Sequence, residues 1–379
     1  MTPCLKCSEE DGSFFQLENT KVAGYCRPCF SKMIRQKFAF CLGKNRVFKE
    51  ERRRDALLVY YSGAFESLQL LRLVCEAVTD QRVHKRLRLN AQVLYLSSAT
   101  TLDQMMQDSE HCRLISHNFP DDWIWHFAHE SAILNDTCIE DSEQNLRCCS
   151  LEEVENLQLY NKLFESCQSN SVRDELKRLF RTKLICRLSE VKFKCSTVLV
   201  PDTADQLAKD VLSALCFGRA ASLSQMSSMV DSRFEPIQLV RPLRDISDRE
   251  LKAMLHIDQN GINQPAINEN AADMMMKGGE SSLQTLTADF IQELRGGGFP
   301  ATISTILSVA SKVENKDVGR VCLLCSDRFD VEDLKRISVD DESAPAIAAN
   351  KHFCQICAQL LSDFDPNSGG INVERFLVR

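Results

Sequence analysis

Long apolar runs are missing from this 379-residue sequence. The strand-like run ending at Tyr61 falls far short of the roughly 18 residues that a membrane span needs. The opening "MTPCLKCSEED" lacks the charged head and apolar centre of a secretory signal, so a soluble, cytoplasmic protein is expected. An excess of positive charge is missing too. Forty-six Lys and Arg face 53 Asp and Glu, a net charge of −7. That excludes a generally basic nucleic-acid binder but leaves room for a local basic patch. There is no internal repeat and no low-complexity segment. With 44% hydrophobic and 26% charged residues the chain has globular composition, long enough for two or three domains.

What the sequence has in plenty is cysteine, 18 in all. A reducing compartment disfavours structural disulfides, so paired spacings point to metal. Cys4-x2-Cys7 and Cys26-x2-Cys29 lie 18 residues apart, and Cys322-x2-Cys325 and Cys354-x2-Cys357 repeat the design across a longer acidic loop. Two such knuckles supply four thiolates to one Zn²⁺ and leave no open position, so two structural zinc sites are expected. A redox dithiol would need only one pair, and a two-zinc RING would need eight interleaved ligands. An iron–sulfur cluster is the competing use of four thiolates. The other ten cysteines, Cys41, Cys75, Cys112, Cys138, Cys148, Cys149, Cys167, Cys186, Cys195 and Cys216, show no ligand spacing and read as small buried hydrophobes.

Residues 1–30 could not bury a core without metal. Residues 31–55 form a basic helical connector; within 31–54 nine Lys and Arg face two Glu, with Met33, Ile34, Phe38 and Phe40 at roughly helical spacing. Lys44, Arg46, Arg52, Arg53 and Arg54 suit contacts with RNA phosphates, although a solvated charged face explains the run equally well. From 56 to 257 strands alternate with helices: "ALLVYYS", "AQVLYLSS" and "DWIWHFAH", then strand–turn–helix at 195–219 and strand–loop–helix at 236–257. This pattern predicts a parallel sheet covered on both faces. Residues 258–280 read as a linker or mobile loop, 281–316 as a helical segment stopped by Gly296–Gly298 and restarted at Pro300, and 317–379 as the second metal segment. His126, His129 and Glu130 have no third ligand in view and read as strand residues, not as a metal site.

The first strand ends in "YYSGAFES". Ser62, Gly63 and Ser67 keep part of the Ser-Gly-Gly-x-Asp-Ser loop with which PP-loop ATPases cradle pyrophosphate on backbone N–H groups. Ala64 adds a Cβ where the second glycine would approach the phosphate, Phe65 adds bulk, and Glu66 is one methylene longer than Asp. Taken alone, a ligand-free strand-to-helix turn fits as well. The turn is expected to survive without ATP chemistry.

These stretches, in order with "KFAFCLGKNR", "DTADQLAKDVLSALCFGRAASL", "IQLVRPLRDISDREL" and "LQTLTADFIQELRGGGFPATISTI", resemble the cytoplasmic tRNA 2-thiolation protein 2 family over nearly the whole length. That family is the second, non-catalytic subunit of the cytosolic wobble-uridine thiolation complex. The resemblance implies an α/β, parallel-sheet PP-loop ATPase-like domain (adenine nucleotide α-hydrolase-like) flanked by N- and C-terminal zinc knuckles. It implies a heterodimer with a catalytic PP-loop paralogue that thiolates C2 of U34 in the tRNAs for Lys, Glu and Gln. Sulfur would come from a thiocarboxylated ubiquitin-like carrier. No catalytic residue carries over, since the loop is altered and 56–257 holds no CxxC. The alternatives are a self-sufficient PP-loop tRNA-modifying ligase and a zinc-dependent adaptor without RNA contact.

Overall fold

The computed structural model describes residues 3–8, 11–16, 24–44, 57–79, 91–134, 151–258, 282–314, 319–330 and 352–364. A short hairpin, β1 (Phe15–Gln16) and β2 (Gly24–Tyr25), leads into α1 (Arg27–Lys44). Then follow β3 (Leu57–Tyr61), α2 (Phe65–Thr79), β4 (Ala91–Ser97), α3 (Leu102–Ser116) and β5 (Ile124–His129). Helices α4 (Leu151–Glu165) and α5 (Asn170–Val191) precede β6 (Thr197–Leu199) and α6 (Ala204–Cys216). A short α7 (Leu223–Ser227), β7 (Val230–Asp231), β8 (Gln238–Val240) and α8 (Asp248–Asp258) complete the alternating part. Helices α9 (Leu283–Gly296) and α10 (Ala301–Ala310) follow. Last come a second hairpin, β9 (Arg320–Val321) with β10 (Arg328–Phe329), and α11 (Gln355–Leu361).

The central sheet has the order β5-β4-β3-β6-β8-β7, parallel throughout except for β7, which runs antiparallel at the edge. Side chains of β3 and β4 alternate between the two faces, as a pleated strand requires. Leu58, Tyr60, Leu94 and Leu96 pack with Leu163, Phe164, Leu176 and Phe180 of α4 and α5. Leu57, Val59, Val93 and Tyr95 pack on the other face with Leu71 and Val74 of α2, Leu251 of α8, and Ile34 and Phe38 of α1. All five residues of β3 are buried, the signature of a central parallel strand. Thr101, Ser169, Thr203 and Ser282 cap α3, α5, α6 and α9 by accepting from a backbone N–H three residues on.

One expectation needs amendment. The buried stripe of α1 is Phe30, Ile34, Phe38 and Leu42, whereas Phe40 faces solvent at 62% exposure and Met33 is half-buried. A strict four-residue spacing, anchored by the second cysteine knuckle, decides this face. Strand β7 has only two residues and no sequence signal. The linker expected at 258–280 lies outside the described residues apart from Asp258, which ends α8.

Candidate functional site

Strands β4 and β5 lie on one side of β3, and β6 and β8 on the other. The chain therefore reverses its winding direction between β3 and β6. In open α/β sheets, ligands bind outside the carboxyl ends of the strands at such a point. The loop after β3 holds Ser62 and Gly63, and the loop after β6 holds Asp202 and Thr203, so the Ser62–Ser67 turn lies at that point of the sheet.

That loop is closed upon itself. The Ser67 hydroxyl donates to the Ala64 carbonyl at 2.7 Å and accepts from the Ser62 N–H at 3.2 Å and the Ser62 hydroxyl at 3.2 Å. The Ala64 N–H donates to Ser62 Oγ at 3.4 Å. The Phe65 ring lies under the Lys252 ammonium, 5.3 Å from its centroid. Glu66 is the acidic residue in the first turn of α2, at the positive end of that helix. Burial and the neighbouring Asp248 raise the Glu66 carboxyl to about 7, with Lys252 and Lys209 only partly compensating. Between its ordinary value and about 7 the folded chain holds a proton that the unfolded chain has released, so stability falls as pH rises through that window. Glu66→Gln is expected to stabilise the chain at pH 8 by on the order of 2 kcal/mol and to leave it unchanged at pH 4. Urea melts at the two pH values check this; equal effects at both would contradict it.

Gly63 has φ +83°, and a Cβ there would lie 3.0 Å from the Tyr95 hydroxyl. The loop thus needs glycine for its backbone and for space. Gly63→Ala should cost about 1–3 kcal/mol in a denaturant titration, from strain at positive φ together with the close contact.

The cysteine pairs assemble as two clusters, each with all sulfurs within 4.8 Å of one another. Both are built alike. In the first, the Ser8 N–H bonds to the Cys4 carbonyl and Ser8 takes φ +57°; in the second, the Ser326 N–H bonds to the Cys322 carbonyl and Ser326 takes φ +60°. The second pair of each begins a helix: Cys26 immediately precedes α1, and Cys354 caps α11. A helix N-terminus favours the thiolate form. Cys7 and Cys26 sulfurs stand 3.8 Å apart, and those of Cys325 and Cys354 3.7 Å. A tetrahedron with metal–sulfur bonds of about 2.3 Å has edges of about 3.8 Å, so the donor sets fit one Zn²⁺ each.

The remaining cysteines separate as burial dictates. Cys41, Cys112, Cys167, Cys186 and Cys195 are buried, Cys75 is half-buried and Cys216 is exposed. Burial pushes the Cys112 and Cys167 thiols up to about 12. Cys216 departs from the buried expectation; Cys138, Cys148 and Cys149 lie outside the described residues. The histidines of "HFAHE" are engaged internally. His126 meets Gln92 at 2.9 Å and His129 meets Ser131 and the Ala99 carbonyl, each at 2.8 Å, while Glu130 accepts from Tyr160 and Arg181. Of the basic candidates, Lys44 ends α1, and Arg46, Arg52, Arg53 and Arg54 lie outside the described residues.

Sequence reasoning missed a buried string of ion pairs. Arg219 reaches Glu175 at 3.3 Å and Asp327 at 3.3 Å. Arg233 joins Asp327 at 2.8 Å to Asp231 at 2.8 Å, and Arg241 joins Asp231 at 3.0 Å to Asp202 at 3.0 Å. The string runs from the second cysteine cluster to the carboxyl ends of β6 and β8. Apart from the neighbours Asp231 and Arg233, its members are too far apart in sequence to signal each other.

No helix among the described residues is long and apolar enough to cross a membrane. The fold is similar to that of the U34-tRNA thiolase NcsA from Methanococcus maripaludis with its 4Fe-4S cluster. The two superpose with a TM-score of 0.55 at 15% identity, over 86% of this chain and 96% of that one. The sequence pattern of the family "Cytoplasmic tRNA 2-thiolation protein 2" matches residues 282–368. Proteins of that name from Caenorhabditis elegans and Drosophila erecta are 32% and 29% identical, covering 85% and 87% of this chain and 88% and 77% of their own. The Caenorhabditis briggsae protein of the same name is 32% identical over 325 residues, 85% of this chain and 88% of its own length, and on that likeness the chain belongs to the cytoplasmic tRNA 2-thiolation protein 2 family.

Proposed function

We propose that this chain is the non-catalytic subunit of a cytoplasmic tRNA sulfurtransferase, paired as a heterodimer with a catalytic PP-loop paralogue. The assembly thiolates C2 of U34 in tRNA-Lys, tRNA-Glu and tRNA-Gln, with sulfur supplied by a thiocarboxylated ubiquitin-like carrier. The observation that carries this reading is the closed loop. Its Ser62 and Ala64 N–H groups are taken by Ser67 and Ser62, and the acidic Glu66 stands in the first turn of the helix that follows. A pyrophosphate would meet amides already bonded and an acidic residue at the helix end. ATP therefore belongs to the partner, and this subunit supplies shape and tRNA contacts. Lys44, Arg46, Arg52, Arg53 and Arg54 are the residues we assign to the RNA backbone. Zinc held at 1–30 and 317–379 brackets the PP-loop-like unit at 56–257.

The test is co-purification with the paralogue, followed by titration calorimetry with ATP and a thiolation assay on tRNA-Lys. The chain alone is expected to bind no ATP and to thiolate nothing, while the pair does both. ATP hydrolysis by the isolated chain that disappears in Ser62→Ala would refute the reading. Unchanged tRNA retention after reversing Arg52, Arg53 and Arg54 to Glu would remove the RNA contact from it.

A further inference from the structure

The two clusters differ in what surrounds their sulfurs. Around the first, the Lys6 and Cys26 N–H groups donate to Cys4 Sγ at 3.5 and 3.4 Å. Around the second stands a buried arginine. Arg219 is 3% exposed, and its Nη1 lies 4.0 Å from Cys357 Sγ. Its other bonds go to Glu175 and Asp327, and its Nε has no hydrogen-bond partner. Cys322, Cys325 and Cys357 share an apolar core with Leu176 and Phe180 of α5. Four thiolates around a divalent ion leave two net negative charges, which such a core disfavours unless they are compensated.

We propose that Arg219 is the positioning residue that compensates the charge of the C-terminal metal site, and that Asp327 ties retention of that metal to the edge of the sheet. The inference rests on reading these cysteines as a mononuclear metal site. Asp327 belongs to the knuckle itself, because its carbonyl accepts from the Cys322 N–H at 2.9 Å. Its carboxylate takes both Arg219 and Arg233, and Ser222 donates to it as well. Arg233 then holds Asp231 of β7 in a two-bond fork, at 2.9 and 2.8 Å. A knuckle that loses its metal loosens Asp327, and the string behind it loses its anchor. The N-terminal site has no such string among the described residues, so its metal is free to exchange without disturbing the sheet.

Elemental analysis of the full chain comes first; fewer than two zinc ions per chain would refute the metal reading itself. With two present, the zinc-loaded chain is mixed with excess chelator and release is followed with a chromogenic indicator. Two one-ion phases are expected, and Cys4→Ser/Cys7→Ser should retain only the slow one. Arg219→Met should speed the slow phase at least tenfold and leave the fast phase alone. Cobalt loaded into the Cys4→Ser/Cys7→Ser chain should show thiolate charge-transfer bands that move to longer wavelength with Arg219→Met, because uncompensated thiolates are better donors. A slow phase or a band position identical to that of the unsubstituted arginine overturns the proposal. The wild-type chain tests it without any substitution at Arg219. After loss of the slow ion, the Arg241 amide, bonded to the Met229 carbonyl at 2.9 Å, should lose hydrogen-exchange protection at least tenfold. Unchanged protection would equally overturn it.

Discussion

Replacing Cys322 or Cys357 with serine is expected to prevent the full chain from accumulating in folded form. Both side chains are 0% exposed, and their sulfurs lie in the core that also holds Leu58 of β3 and Leu176 of α5. A closed four-thiolate site contributes on the order of 10 kcal/mol to folding. A typical domain has only about 5–15 kcal/mol in total. Losing one ligand, and leaving Arg219 and Arg233 without a fixed Asp327, removes most of that margin. Cys7→Ser is the control. It should fray the N-terminal knuckle but keep the main transition, since Ile34 and Phe38 of α1 still pack on the sheet. Thermal melts followed by far-ultraviolet circular dichroism, together with zinc content, separate the two cases. A Cys322→Ser chain melting with the wild type would show that the C-terminal cluster is an appendage, not part of the core.

Asp231→Ala is expected to cost about 3–5 kcal/mol, because it takes one of two carboxylate partners from each of two buried guanidinium groups and leaves each with a single partner. Asp231 is 0% exposed and accepts from both Arg233 and Arg241. Burial alone would raise its carboxyl, but the two arginines outweigh burial and hold it well below the ordinary carboxylate range. The sign follows from the depressed value. The folded chain keeps Asp231 ionised where the unfolded chain has taken up a proton. Its contribution is therefore complete above the ordinary carboxylate value and disappears as pH falls below it. Urea titrations at pH 7 and at pH 3 should show a large gap between wild type and Asp231→Ala at pH 7 and a smaller one at pH 3. A constant gap would assign the loss to packing instead of charge.

Much of this architecture is written locally. The run 57–61, the caps at Thr203 and Ser282, and the eight paired cysteines each carry a signal within a few residues, so strands, helix starts and metal knuckles can be read directly. The position of the phosphate loop at the winding reversal also follows once β3 and β6 are recognised, because parallel strands with helical crossovers admit few orders. What could not be read depends on distance along the chain. Asp202, Asp231, Arg241 and Asp327 meet only after the sheet has formed, and each alone looks like a solvated charge. The buried face of α1 failed for a smaller reason. Met33, Ile34, Phe38 and Phe40 all fit roughly helical spacing, and only packing on α8 and the sheet keeps Ile34 and Phe38 and leaves Phe40 outside.

The Asp327 carboxylate also imposes an order on biosynthesis. Arg219 and Arg233 leave the ribosome about a hundred residues before Asp327, the carboxylate they share, and the last cysteine of the second cluster, Cys357, emerges later still. Most of the sheet can form as the chain is made, since domains begin to fold during synthesis. The string of buried ion pairs, however, is complete only when the final knuckle supplies Asp327. Nascent or prematurely terminated chains that stop short of Cys322 therefore carry a built-in defect at the heart of the fold. A full-length chain whose second cysteine cluster has not formed would share that defect, so both kinds of unfinished chain would be marked at the same place in the fold.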